Sequence, residues 1–145
     1  MSTDDKKLLV RRYIEEVVNT GDVTNLEEFI APDYLEVYEG KRYPLGIPGA
    51  KEHVLGVRTT YPDLIVRVDQ QIGEGDWVAT CITATGTHLG AWLGIEPTGK
   101  VVTFTGVNID KVVDGRIVEH GGAANLFGPL LAIGAIRAVG RDEAG

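Results

Sequence analysis

Histidine, carboxylate and carboxamide side chains recur in this sequence at spacings suited to moving a proton. The stretch Gly106-Val-Asn-Ile-Asp-Lys-Val-Val-Asp-Gly-Arg-Ile-Val-Glu-His120 carries Asn108, Asp110 and His120, and Glu36 stands upstream in Tyr34-Leu-Glu-Val-Tyr38. Imidazole exchanges a proton near neutral pH. Withdrawing a proton from an activated C–H bond requires such a base, and the enolate left behind requires a donor at its oxygen. His120 is the first candidate for the base. On strand alternation it shares a face with Gly122 and points into a pocket there; the alternative is a core histidine bonded to backbone. Gly106, Asn108 and Asp110 fall at every second position, so Asn108 is expected to polarise a carbonyl and Asp110 to orient His120, unless the ladder turns Asp110 outward. Glu36 in an apolar cavity would have a raised pKa suited to acid/base work, or else sits at the rim. Tyr34, Tyr38, Trp92 and Phe104 offer aromatic surface either for a flat polycyclic ligand or for the core. Trp92 lies in the loop Gly90-Ala-Trp-Leu-Gly94 and is a candidate lid. His53 and His88 read as a helix-surface and a turn residue.

The elements that must position these groups follow from periodicity. Leu9, Val10, Tyr13, Ile14, Val17 and Val18 recur at steps of three and four, which predicts a helix from about residue 4 to 19, capped by Ser2 or Thr3. Thr24-Asn-Leu-Glu27 reads as a capping box opening a short helix that Pro32 ends. A further helix is expected from about residue 49 to 61, before Pro62. The period then becomes two, with strands expected over Leu64 to Val68, Trp77 to Thr85, Val101 to Val113 and Arg116 to about Asn125. Asp114-Gly115 between two apolar runs is a hairpin signal, because both central residues of a type I′ turn need positive φ. Helices followed by a meander predict an α+β domain, with helices on one face of a curved, mostly antiparallel sheet enclosing one pocket.

At 145 residues the chain is read as one domain, residues 1–145, with 24% charged residues and a formal charge of −7. That charge disfavours nucleic acid and anionic membranes as partners. Cys81 is the lone cysteine, so no intrachain disulfide forms. No apolar run reaches the ~20 residues of a membrane span, and a cytoplasmic location is expected. There is no dinucleotide or Walker-type glycine loop, no His or Cys pair at zinc-ligand spacing and no nucleophile elbow, so no cofactor and no metal are expected. Residues 126–139 are apolar almost all round and are expected to lid the cavity or to enter a homodimer interface.

Ala31-Pro-Asp-Tyr-Leu35, the segment from Thr85 to Lys100, Val102-Thr-Phe-Thr-Gly106 and Asp114-Gly-Arg-Ile-Val-Glu-His120, in that order, resemble the SnoaL-like polyketide cyclases of the NTF2-like superfamily. The resemblance implies a cone of helices and sheet around a deep pocket, a hydrophobic polyketide-like carbonyl substrate, and cofactor-independent intramolecular aldol closure. It also implies that the position two residues after His120 holds an acid/base aspartate; here it is Gly122. Asn125 stands where relatives carry a carboxylate, Glu36 where they carry an asparagine, and Asn108 where they carry a histidine. A relocated base, an epoxide hydrolase or hydroxylase-like reaction in the same pocket, or a non-catalytic binding module are the alternatives that this pattern leaves open.

Overall fold

The computed structural model describes residues 1–140; the last five residues of the expected 1–145 domain lie outside the described residues. Ser2 opens α1 (Thr3–Tyr13) with a reciprocal capping box: its hydroxyl accepts from the Asp5 N–H, and the Asp5 carboxylate accepts from the Ser2 N–H. The helix then loosens into a single π turn, Ile14–Val18, where the Asn19 N–H reaches back five residues to the Ile14 carbonyl. Asn19 closes this end by giving its Nδ2–H to the Val66 carbonyl and taking the Val66 N–H, at 2.9 and 2.8 Å.

The capping box expected at Thr24 does not form. Asp22 takes both the Thr24 N–H and its hydroxyl, and only one 3-10 turn, Leu26–Glu28, precedes the first strand. That strand, β1 (Ile30–Tyr38), runs through Pro32, which sits at a register irregularity where its missing N–H is tolerated. A Glu39-Gly40 turn with φ of 50° and 76° leads into β2 (Lys41–Pro44). This short edge strand is exposed throughout and has no alternation by which to expect it. The next helix, α2 (Gly46–Thr60), starts earlier than the sequence suggests, because Pro48 lies in the first turn, where no N–H is needed. Then come β3 (Ile65–Glu74), β4 (Trp77–Thr87), β5 (Val101–Val113), β6 (Arg116–Ala124) and a short α3 (Phe127–Ala132). Asp114 and Gly115 take φ of 51° and 74°, the pair a type I′ turn requires.

The strands form one six-stranded sheet in the order β2-β1-β6-β5-β4-β3. Every neighbouring pair is antiparallel except β1 and β6, which run parallel. The helices cover the concave face, where Val10, Ile14, Ala50, Val54, Leu64 and Ile82 form much of the buried core. His88, read as a turn residue, is fully buried where β4 gives way to the following loop. Its backbone pairs with Lys100 and Gly99 and its Nδ1 lies 3.0 Å from the Thr98 hydroxyl, which pins the base of the loop that carries Trp92. The 126–139 segment is not one long helix: α3 ends at Ala132, the buried Ile133 follows, and Gly134 takes φ of 77°. Among the described residues no helix is long and apolar enough to cross a membrane.

Candidate active site

Strand register builds the site. Glu36 on β1 is paired with His120 on β6, and His120 is paired with Asp110 on β5. Directly paired residues project from the same face of a sheet, so a carboxylate, an imidazole and a second carboxylate stand in a row across the concave face. His120 and Asp110 border an apolar cavity of about 190 Å³ that Tyr13, Tyr34, His53, Phe104 and Asn108 also line, while Glu36 stands behind His53 and Tyr34.

Asp110 is only 3% exposed, so the ladder turns it inward. Its Oδ1 lies 2.7 Å from His120 Nδ1. An ionised carboxylate only accepts, so Nδ1 carries the proton and Nε2 is the free nitrogen of the imidazole. Burial works against the charged imidazolium, but the Asp110 carboxylate, by charge and hydrogen bond, and Glu36 beyond it outweigh burial and hold His120 above the ordinary histidine value.

Glu36 differs from the sequence expectation. Burial does push its pKa up, yet a 2.6 Å contact to His53 Nδ1, a 2.9 Å hydrogen bond from the Tyr34 hydroxyl and the nearby His120 together hold it below the usual glutamate range. It is therefore a carboxylate that organises its neighbours, not a protonated acid. His53 is exposed on α2 as expected, and from there its ring also reaches the cavity beside Val54 and Val57. That spacing, read together with the apolar face of α2, was the signal available. Tyr13, read as helix core, also lines the cavity. Burial first, and then the charges of Asp110 and Glu36, raise its pKa, so it stays a neutral phenol able to donate. Tyr34 is held neutral in the same way, by burial first and by Glu36 next.

Other expected site residues lie elsewhere. Tyr38 is 65% exposed at the end of β1. Asn125 is exposed, and its Oδ1 accepts from the Phe127 N–H at 3.2 Å. Gly106 lines a surface depression together with Val107, Ala123 and Asn125, not the cavity. Gly122 has φ of 130°, and a Cβ built there would collide with the Val107 carbonyl oxygen, so this strand backbone admits no side chain at the position. Trp92 stands outside the cavity, its ring 6.1 Å from that of Tyr61, and walls an outer groove of about 390 Å³. His53, Val57 and Phe104 line both spaces, so these three side chains stand between the cavity and the groove. Among the described residues no three His, Cys, Asp or Glu side chains converge as metal ligands.

Residues 8–133 match the family model described as SnoaL-like polyketide cyclase. Nogalonic acid methyl ester cyclase of Streptomyces nogalater is 30% identical over 118 residues, which is 80% of this chain and 88% of that protein. Aklanonic acid methyl ester cyclase AcmA of Streptomyces galilaeus is 28% identical over 113 residues, 77% of this chain and 78% of that one. Among solved structures, IdmH of Streptomyces antibioticus, a proposed polyketide cyclase, superposes with a TM-score of 0.74 at 30% identity, covering 89% of this chain and 98% of that chain. AclR of Streptomyces galilaeus, a proposed hydroxylase, reaches 0.82 at 28% identity, covering 94% of this chain and all of that one, 100%.

Proposed function

The chain belongs to the SnoaL-like polyketide cyclase family, and from that premise we propose that it closes a ring in a hydrophobic, polyketide-derived carbonyl compound by an intramolecular aldol reaction without a cofactor. The methyl esters named for its relatives, nogalonic and aklanonic, mark the substrate class. The observation that carries the reading is the buried Asp110–His120 pair beside an apolar cavity. His120 Nε2 removes the acidic C–H proton, Asp110 holds the ring in the tautomer that leaves Nε2 free and stabilises the imidazolium that results, and Asn108 and Tyr13 supply neutral donors near the developing enolate oxygen. His120 thus takes over the acid/base task that the family gives to the position of Gly122, where the local backbone leaves no room for a side chain.

The test is aklanonic acid methyl ester in D₂O, followed for deuterium uptake at the acidic carbon and for ring closure. Wild type exchanges above the buffer rate and closes the ring, and His120→Gln loses both by at least ~10²-fold, the usual worth of a positioned base. A bound substrate that neither exchanges nor closes would overturn the enolate reading.

We further propose a homodimer formed through the outer sheet face. Ile72, Ala79 and Ile109 pair across β3, β4 and β5 on the face opposite Asp110, beside the half-exposed Trp77 and Val107.

A further inference from the structure

The reaction proposed above has a second half. When the enolate carbon attacks a carbonyl carbon, the carbonyl oxygen becomes an alkoxide that needs a proton, and a base alone does not provide it. His120 could return its proton only if its one free nitrogen also reached the new alkoxide, and a second donor removes that requirement.

A second imidazole stands at the same cavity. The His53 ring is 6.2 Å from the His120 ring, edge toward face, and comes from α2, not from the sheet. Its Nδ1 is engaged by Glu36 at 2.6 Å, and the Tyr34 hydroxyl donates to the same Glu36 oxygen at 2.9 Å. Carboxylate, imidazole and phenol thus form a second carboxylate–imidazole unit, anchored by the buried Tyr34 through the partly buried Glu36 and leaving the other ring nitrogen of His53 free. His53 is also one of the residues common to the cavity and the outer groove, so a substrate occupying either space lies against it. Its side chain is 47% exposed in the free protein, and such a substrate would cover it.

Resting on the ring-closure reading, we propose that His53, held by Glu36, is the general acid that protonates the new alkoxide while His120 acts as the base. In one turnover the C–H bond breaks and its proton goes to His120 Nε2. The electron pair left on carbon forms the C–C bond, the carbonyl π pair moves to oxygen, and that oxygen takes the Nε2 proton of the His53 imidazolium. His120 ends protonated and His53 neutral. A proton passed from the first ring to the second, through a water in the space the product vacates, restores both. No net proton and no electron is consumed. Glu36 touches no reacting atom and is a positioning residue.

The experiment separates the two halves of the reaction. Deuterium exchange into aklanonic acid methyl ester needs only the base, whereas closure needs the base and the acid. For His53→Gln, the ratio of closure to exchange is expected to fall at least ~10²-fold below wild type, within the range of a positioned general acid. Glu36→Gln should lower the same ratio, and Glu36→Asp should restore part of it. His120→Gln removes exchange and closure together and leaves no such split. Equal loss of exchange and closure in His53→Gln, or an unchanged ratio, would overturn the assignment of His53 while leaving His120 as the base. Absence of exchange in wild type would overturn the underlying reading instead.

Discussion

At the level of single residues, the site depends on which carboxylate faces which imidazole. Counted from the Asp114-Gly115 turn, Asp110 would oppose Glu119; a register shift between Lys111 and Val112 sets it opposite His120 instead, so their pairing was hidden although both residues were legible as candidates. The state of Glu36 was not legible either, since it is set by His53 on a separate helix, and nothing in the local sequence shows that contact. The Asp110 prediction can be given a sign. Asp110→Asn removes the main group that raises the His120 pKa and leaves only Glu36 to oppose burial, so the imidazole titrates at lower pH than in wild type, where it titrates above the free value of ~6.5. A His120 resonance followed by NMR against pH would check this, and the limb of activity that requires neutral His120 should move with it. In wild type the same pair contributes stability that is complete below the unfolded histidine pKa and is lost as pH rises through the folded one. Glu36, with its lowered pKa, contributes stability above the usual glutamate range that is lost as pH falls through the folded value.

Elements show a similar division. The long strands, the turn joining β5 to β6 and α1 followed from periodicity and capping residues, with boundaries displaced by a few positions. The β1–β2 hairpin did not, because β2 is a four-residue strand exposed at every position and carries no hydrophobic signal. The π turn after α1 was equally hidden. An extra backbone atom ring changes no residue type, yet it sits where Tyr13, Ile14 and Val18 meet the cavity. Within β6, backbone shape overrides family pattern. Gly122→Asp would place the missing carboxylate in the sequence but not in the site, because φ of 130° and the Val107 carbonyl exclude its Cβ. The variant is expected to lose about 1–3 kcal/mol, the scale of one strained residue, read as a lower denaturation midpoint, and to gain no activity. Increased closure in that variant would show that the strand can rearrange.

For the whole molecule, the order of helices and strands identified the fold class, and the concave face holds the cavity as expected. What the chain alone did not give was the division between an inner cavity and an outer groove, since Trp92 reaches its place through the loop that buried His88 pins. The proposed dimer predicts a mass twice the 15.6 kDa of one chain in sedimentation equilibrium, and Ile109→Asp, a charge in the centre of the outer face, should return it to one. A single-chain mass for wild type would remove that proposal.

The parallel seam between β1 and β6 has a kinetic consequence. Each proton-handling pair is local, with its members 10 residues apart on the β5–β6 hairpin and 17 apart between β1 and α2. The two are joined across the seam, where contacts such as Arg42 with Glu119 and Arg116 with the Glu27 carbonyl bridge 77 and 89 residues, and by the His53–His120 ring contact over it. Closing so long a loop is entropically slower than forming a hairpin. During folding, each half of the chemistry is therefore expected to exist before the whole does, and catalytic competence to appear in a single late step, with docking of the seam.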